Sequence, residues 1–336
     1  MSNVSNTSSC CEGALSQSIS LAVAYALLAT AGSFGNLLVI YLVYSVRRLR
    51  STSNAFIVNV CAADLLVCAL WMPQEAAALA QPMGHAASAG YQIFRGGLLF
   101  LGLVASLFSH SLIALNRYAL ITKVPAAYRS IYRRRNAAAM LATAWVLAAL
   151  LLLPWLTGQA GSGRRDGGGG CAPLRHLVPA LSERCLVRLS PYTAAVTAST
   201  ILAQTAVLLY SYFKIFRKVQ VSVKRVSVLN FQIINNLPYP FARKDKKLRF
   251  YVSFVLCVFI LTTQPFLWVI LCGLFQPLPS LPYNVSWLLF TLLFVLSPYL
   301  YTRKNEEFRK SLRSVIRVEF SRASVGVEPG IQVVSR

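Results

Sequence analysis

Long apolar stretches separated by short polar segments are the dominant pattern along this chain. Seven stretches each hold about 20 mainly apolar residues, the length an α-helix needs to cross the hydrocarbon core of a bilayer. The predicted helices are Ile19–Val46, Ala55–Ala80, Tyr91–Ile121, Ala137–Leu156, Pro191–Val219, Leu248–Phe275 and Tyr283–Tyr301. The pattern predicts an all-α membrane protein built as a seven-transmembrane helix bundle.

A different periodicity follows the seventh stretch, where apolar residues recur at helical spacing with basic residues between them. The apolar positions are Phe308, Leu312, Val315, Ile316 and Phe320. Such a pattern is typical of an amphipathic helix lying on an anionic inner leaflet. We therefore predict an extracellular N-terminal tail (1–16), a receptor-like helix bundle (17–303), an interfacial helix (304–320) and a cytoplasmic tail (321–336).

Composition supports a lipid environment for the apolar stretches, and the distribution of charge predicts the orientation of the bundle. Charged residues make up 13% of the chain, about half the share in soluble domains. The net charge of +23 raises the question of nucleic-acid binding, but 26 of the 33 lysines and arginines fall in segments on one side of the predicted bundle. Basic segments stay in the cytoplasm. The pattern therefore predicts an extracellular N-terminus and no nucleic-acid partner.

Glycosylation and disulfide candidates cluster on the predicted outer side. Asn3 and Asn6 each begin an Asn-x-Ser/Thr sequon, the acceptor for N-glycosylation. The cysteines in polar segments are Cys10, Cys11, Cys171 and Cys185. One or two bridges among them would suit an oxidising environment, and the sequence leaves their pairing open. No cysteine spacing predicts a metal site.

Short motifs inside the predicted helices narrow the class of membrane protein. They are Gly35-Asn36-Leu37-Leu38-Val39, Asn59 with Ala63-Asp64-Leu65, Asn116-Arg117-Tyr118, Trp145, Phe259 with Pro265, and Ser297-Pro298-Tyr299-Leu300-Tyr301. In this order, one set per helix, they resemble the rhodopsin-like (class A) G-protein-coupled receptors over about Gly32 to Arg317. The resemblance implies a plasma-membrane receptor, not an enzyme, whose partner is a heterotrimeric G protein.

Several positions depart from the family pattern. Asn116 replaces an acid, Ser297 an asparagine, Thr263 a tryptophan and Gln204 a proline, and Gln92 stands where an extracellular cysteine is usual. Without that cysteine the usual tether of the outer loop to helix three cannot form. The combination resembles an orphan, neuronal branch of the family with no established natural ligand. It implies coupling to the inhibitory Gi/o class, which lowers cyclic AMP, and basal activity stays open.

Residues at the inner ends of the helices are the candidates for an activation switch. They are Asn116, Arg117, Tyr118, Tyr212, Asp245, Ser297, Pro298 and Tyr301. The resemblance implies that Arg117 packs inward when the receptor is inactive and contacts the G protein when it is active. Because Asn116 is uncharged, we hypothesise that Asp245 alone pairs with Arg117. The alternative is an arginine that only extends to the membrane interface.

A second candidate site lies in mid-membrane, where an acidic side chain is costly and therefore functional by default. It comprises Asp64 with Asn36, Ser106 and Ser297 as neighbours and His110 one step further inward. The resemblance points to a sodium site, and Ser297 and Thr263 weigh against sodium there. The alternatives are a protonated, purely structural Asp64 and a His110 that is satisfied within the core.

The outer half of the bundle holds the ligand-pocket candidates. They are Gln74, Glu75, Leu99, Phe100, Leu103, Thr263, Phe266, Leu267, Ile270, Trp287 and Thr291, with Gln74 and Glu75 at the rim. Leu99 stands where an amine receptor of this family has an acid, which predicts a non-amine, apolar ligand. Thr291 replaces the lysine that would bind retinal, so no cofactor is expected. The alternative is plain bundle core.

Two further functions remain open at this point. A transporter or proton-translocating protein would use several ionisable groups along one path, whereas mid-membrane holds mainly Asp64 and His110. A receptor that acts by forming dimers with other receptors is equally compatible with the pattern.

Overall fold

The computed structural model describes the backbone over residues 4–80, 88–162, 191–233, 241–276, 280–302 and 306–325. Within these ranges every regular element is helical, and seven helices are long and apolar enough to cross a membrane. The spans are Ser18–Ser45, Thr52–Ala80, Gly90–Thr122, Arg134–Thr157, Pro191–Val221, Phe250–Phe275 and Leu281–Thr302. The predicted seven-transmembrane helix bundle is confirmed, and most of the predicted span ends lie within three residues of these.

Ten α-helices follow one another along the described chain. They are α1 Val4–Ser45, α2 Thr52–Leu65, α3 Met72–Ala80, α4 Ala89–Thr122, α5 Pro125–Ile131, α6 Arg134–Ser162, α7 Pro191–Ile233, α8 Phe241–Phe275, α9 Ser280–Thr302 and α10 Glu306–Val325. A 3₁₀ turn, Arg47–Leu49, links α1 to α2. Helices α6, α8 and α9 continue through Pro154, Pro265 and Pro298.

A π-helical turn, Leu66–Trp71, joins α2 to α3 within the second span. Wider turns of this kind occur mostly at functional sites, because the extra residue changes which side chains face inward. On its outer side Trp71, Met72 and Glu75 all face the bundle interior and are buried. The turn therefore directs a carboxylate inward in the outer half of the bundle.

The short inner segment between α4 and α6 also folds as a helix, α5. Pro125 stands in its first turn, where a residue without an N–H leaves no helical bond unmade. The rings of Tyr128 and Tyr132 stack with centroids 5.1 Å apart, and Tyr132 meets Phe56 of α2 edge-on at 5.8 Å. Helix α5 is thereby fixed against the inner end of the second span.

Helix α10 packs on the inner end of the bundle. Phe308 is buried in a cluster with Val39 and Leu42 of α1 and with Tyr301 of α9. Four basic residues of α10 are exposed, namely Arg309, Lys310, Arg313 and Arg317. The helix runs from Glu306 to Val325, whereas the interfacial helix was predicted over 304–320, and its location on the inner leaflet stays a prediction.

Small residues let the first, second and third spans approach closely, as is common between membrane helices. A Cβ added at Gly32 of α1 would lie 2.6 Å from Cys68 Sγ and 3.1 Å from Val295 Cγ2. One added at Gly102 of α4 would lie 2.9 Å from Val67 Cγ2. Neither position has room for a side chain.

We predict that Gly32→Ala lowers the free energy of unfolding by about 1–3 kcal/mol, the usual cost of overpacking a core. Gly90→Ala is the matched control, since nothing lies within 4 Å of a Cβ there and alanine favours the helix. Thermal unfolding of the purified protein in detergent tests this. Equal melting temperatures for Gly32→Ala and the unchanged chain would show that α1 and α2 are less closely packed.

Candidate signalling site in the bundle interior

Both carboxylate oxygens of Asp64 accept a hydrogen bond from a serine of another span. Asp64 is fully buried. The Ser106 hydroxyl of α4 donates to Oδ1 at 2.5 Å, and the Ser297 hydroxyl of α9 donates to Oδ2. A buried polar group left without partners would be costly, so these bonds connect three transmembrane helices at one point in mid-membrane.

Asn36 lies beside this site but bonds elsewhere. Its amide donates to the Gly32 carbonyl at 2.9 Å and to the Phe294 carbonyl at 3.1 Å, which ties α1 to α9. With both amide hydrogens engaged, Asn36 supports the helix that carries Ser297. It does not donate to Asp64.

His110 lies one helical turn closer to Arg117 than Ser106 does and is buried. Its Nδ1 lies 2.8 Å from the Ser106 carbonyl. Because a carbonyl only accepts, Nδ1 is the donor, and in a neutral ring Nε2 is then an acceptor. Nε2 has no hydrogen-bond partner within the described residues. The ring packs against Tyr301 and Phe259, with centroids 5.7 and 6.4 Å away.

Asn116, at the inner end of α4, holds two neighbouring elements. Its Oδ1 accepts from the Ser53 hydroxyl of α2 at 2.8 Å, and its Nδ2 donates to the Tyr128 hydroxyl of α5 at 3.2 Å. The side chain that replaces the family's acid is thus fully used in fixing the inner loop, and its position supplies no negative charge for Arg117.

Three tyrosines lie near Arg117 at the inner end of the third span. The arginine is partly buried and lies close enough to Tyr212, Tyr251 and Tyr301 to interact electrostatically with each. Tyr251 donates its hydroxyl to the Leu300 carbonyl at 2.5 Å. This bond joins α8 to α9, the helices that carry Asp245 and Tyr301. The side chain of Asp245 lies outside the described residues.

Asn59 and Tyr118 complete the inner half of the bundle. Asn59 of α2 donates to the Ser109 hydroxyl at 2.7 Å and accepts from the Trp145 indole N–H at 2.9 Å. Those contacts join the second, third and fourth spans. The ring of Tyr118 meets that of Tyr210 edge-on at 5.8 Å. Tyr118 therefore faces α7 rather than Arg117's tyrosine cluster.

The apolar ligand-pocket candidates pack against one another in the outer half of the bundle. Leu99, Phe100, Leu103, Phe266, Leu267, Ile270 and Trp287 belong to one buried cluster. The Trp287 ring lies 5.9 Å from that of Trp71 and 4.9 Å from that of Phe266. Thr263 and Thr291 are buried beside them.

Glu75 lies deeper than the expected rim and forms an ion pair with Arg95 of α4. Arg95 Nη2 is 3.2 Å from Glu75 Oε2, and the two side chains are 15% and 3% exposed. Arg95 was not among the predicted site residues, although its position in the sequence could have identified it as the partner of Glu75. Glu75 follows Asp64 by eleven residues, and Arg95 precedes Ser106 by eleven, so neighbouring antiparallel helices bring the two charges to one depth. Gln74, partly buried, has an oxygen without a hydrogen-bond partner among the described residues.

Comparison with known families assigns this arrangement to a class of protein. The family model described as "7 transmembrane receptor (rhodopsin family)" matches residues 35–304. The chain belongs to the rhodopsin family of seven-transmembrane receptors. This membership agrees with the motif resemblance. The family consists of receptors rather than enzymes, and the match does not favour a transporter. It also makes the chain a multi-pass membrane protein of the plasma-membrane receptor type.

Curated relatives resemble this receptor over part of its length. "G-protein coupled receptor 135" of Rattus norvegicus is 32% identical over 170 residues, which is 50% of this chain and 34% of that protein. "Melatonin receptor type 1B-A" of Danio rerio is 35% identical over 37% of this chain and 42% of its own length. The "D(1B) dopamine receptor" of Xenopus laevis is 30% identical over 58% of this chain and 41% of its own. The match thus spans about a third to two fifths of these relatives.

Several predicted outer features of the receptor lie outside the described residues. These are Asn3, Cys171 and Cys185, together with the side chains of Asn6, Cys10 and Cys11. Their glycosylation and pairing stay predictions. Among the described residues no group of three or more metal-ligating side chains occurs.

We predict that Arg95→Met alone, or Glu75→Leu alone, destabilises the receptor by about 3 kcal/mol, the lower end for breaking a buried ion pair. The double variant should recover most of this loss, because neither charge is then left unpaired. Thermal unfolding in detergent of the four proteins measures the coupling. Additive losses in the double variant would show that the two charges do not depend on each other.

Proposed function

We propose that this receptor signals to heterotrimeric G proteins of the inhibitory Gi/o class, lowers cyclic AMP and is active without added ligand. The main support comes from Asn116. Its side chain hydrogen-bonds to Ser53 and Tyr128 and offers Arg117 no carboxylate. The Gi/o class and a neuronal setting rest on the motif resemblance. Basal activity rests on the physical argument that follows.

Arg117 is restrained less strongly here than an arginine paired with an adjacent carboxylate. An adjacent carboxylate attracts an arginine by the Coulomb interaction of two opposite charges, which a neutral partner does not supply. The described groups around Arg117 are the neutral phenols of Tyr212, Tyr251 and Tyr301. A weaker restraint on the inactive state raises the resting population of the active one. Asp245 is the one acid that we assign to this restraint.

His110 adds a polar group between Asp64 and the inner tyrosines. In this position its unpaired Nε2 faces a cluster of aromatic rings. A polar group without a partner makes the surrounding apolar packing less favourable. We assign His110 the role of weakening the apolar barrier that separates Asp64 from the G-protein side, which again favours basal signalling.

The ligand pocket that we propose is apolar with one polar anchor. The Glu75–Arg95 pair lies at the outer end of the buried cluster that contains Leu99 and Trp287. Because Arg95 neutralises Glu75, the pair offers an approaching amine little net attraction. A neutral ligand with an apolar body and a small group that hydrogen-bonds to Gln74 or Arg95 fits this chemistry.

The proposed topology has the N-terminus outside and α10 on the inner leaflet. The 26 basic residues of the inner segments, including the outward-facing ones of α10, support it by the positive-inside rule. Asn3 and Asn6 would then be glycosylated, and Cys10, Cys11, Cys171 and Cys185 would lie on the oxidising side.

Cyclic AMP after forskolin, in cells that express the receptor without ligand, tests the function. We expect lower cyclic AMP with the intact chain and with the control Arg48→Ala, an exposed arginine at the inner end of α1. Arg117→Ala should abolish the decrease, and so should pertussis toxin, which blocks Gi/o coupling. At equal surface expression, no decrease with the intact chain would refute basal Gi/o activity.

Asp245→Ala should raise ligand-free signalling several-fold, because it removes the proposed restraint on Arg117. Asp245→Glu, which keeps the charge, and Lys244→Ala, which alters the neighbouring residue, serve as controls and should stay near the original level. The same cyclic AMP assay measures all three. Unchanged basal activity in Asp245→Ala would rule out this restraint.

A further inference from the structure

A groove of about 600 Å³ opens between α1, α9 and α10 at the cytoplasmic end of the bundle. Leu38 and Leu42 of α1 form one wall, Pro298 and Tyr299 of α9 form the other, and Phe308 of α10 lies at its inner end. Its volume is within the usual range for small-molecule sites. Of the candidate switch residues, only Pro298 lines this space.

A close contact between α1 and α9 at Gly35 bounds the groove on one side. A Cβ on Gly35 would lie 3.1 Å from Pro298 Cγ and 3.2 Å from the Tyr299 ring. Further toward the cytoplasm, α10 fills part of the gap with Phe308, whose side chain is buried. The space between these two contacts is open to the outside of the bundle, where Tyr299 is 49% exposed.

The outer surface beside the groove is built for lipid. On α1 the large apolar side chains of Leu37, Tyr41 and Tyr44 are exposed by half or more, and this helix belongs to a membrane span. The chains of surrounding lipids therefore have direct access to the groove from the inner leaflet.

The mouth of the groove is basic. Arg309 lines it, and Arg313, one helical turn further along α10, is exposed on the same side. Glu306 and Glu307 lie in the first turn of α10, where acids are favoured by the helix dipole. Basic pockets between membrane helices on the cytoplasmic side bind the headgroups of anionic lipids.

We propose that this groove binds one anionic phospholipid of the inner leaflet. One acyl chain lies between α1 and α9 against Leu38 and Pro298, and the phosphate contacts Arg309 and Arg313. An apolar slot ending in arginines matches an amphiphile with an anionic head, whereas a sterol, whose polar group is a neutral hydroxyl, would leave those charges without a counterpart.

Occupation of the groove would also bear on α9. Pro298 and Tyr299, which the acyl chain contacts, directly follow Ser297, which bonds to Asp64. The next residue, Leu300, accepts the bond from Tyr251. A lipid in the groove therefore supports the inner end of α9 in the position that these two bonds require.

The binding test uses the purified full-length receptor in phosphatidylcholine nanodiscs, titrated with phosphatidylserine that carries a photoreactive acyl chain. Covalent labelling should map to the α1, α9 and α10 peptides. Leu38→Trp, which fills the groove, should lower labelling at least fivefold. Leu37→Trp, the same change on the exposed neighbour, should leave it unchanged. This readout does not depend on signalling, so its failure is distinct from failure of the proposed function.

The headgroup is tested with two charge-matched variants. Arg309→Gln should weaken phosphatidylserine labelling about fivefold, the effect of one basic contact near an anionic surface, whereas Lys310→Gln should not. Both residues are exposed, so folding is not in question. Equal losses in the two variants would show diffuse surface attraction. Competition by cholesterol or by a free fatty acid as strong as that by unlabelled phosphatidylserine would show a site without headgroup selection. Either result overturns the proposal.

Discussion

Burial of the Asp64 carboxyl governs the centre of the receptor, because a buried polar group needs hydrogen-bond partners. Ser106 and Ser297 supply them from two other spans. Because neither serine is adjacent to Asp64 in sequence, the bonds form only when α2, α4 and α9 are correctly aligned. Asn36 extends the arrangement to α1 through the Phe294 carbonyl. Four of the seven spans are thus aligned around one acidic side chain.

The same rule explains the polar contacts in the inner half of the bundle. In lipid an unpaired polar atom is costly, so bonding to a neighbouring helix or to the residue's own backbone is favoured. Among the described residues, Nε2 of His110 and the amide of Gln204 are exceptions. Asn59 bonds to Ser109 and Trp145, and Asn116 bonds to Ser53 and Tyr128. These bonds fix the second, third and fourth spans and α5 as one unit. The fifth to seventh spans share a different set of contacts, centred on Tyr212, Tyr251 and Tyr301.

The sequence predicted the spans well because bilayer thickness sets their length, and the length of an apolar stretch can be counted directly in the sequence. The order of the family motifs along the chain also identified Asp64, Ser106 and Ser297 as neighbours. The π-helical turn Leu66–Trp71 and helix α5 were not predicted, since each is stabilised by tertiary contacts rather than by a local pattern.

Partners of polar side chains were harder to predict than their positions. Glu75 was placed at an open rim, yet it is buried and paired, because the π-helical turn directs it inward. In the sequence, Asn116 shows only that an acid is missing. In the structure, its two hydrogen bonds hold α2 and α5. An amide can bond to many neighbours, and only the three-dimensional arrangement of α2 and α5 selects Ser53 and Tyr128.

Helix α9 connects the outer half of the bundle to its inner end through side chains that touch in succession. Trp287 contacts Phe290 at 5.7 Å, and Phe290 contacts Phe294 at 5.6 Å between ring centroids. One turn further in, Ser297 bonds to Asp64, and Tyr301 lies against His110. Close-packed interiors transmit displacements because they contain little free volume. Under the proposed function, a ligand that displaces Trp287 would act on the helix that bears Ser297 and Tyr301, and through that helix on the proposed restraint of Arg117.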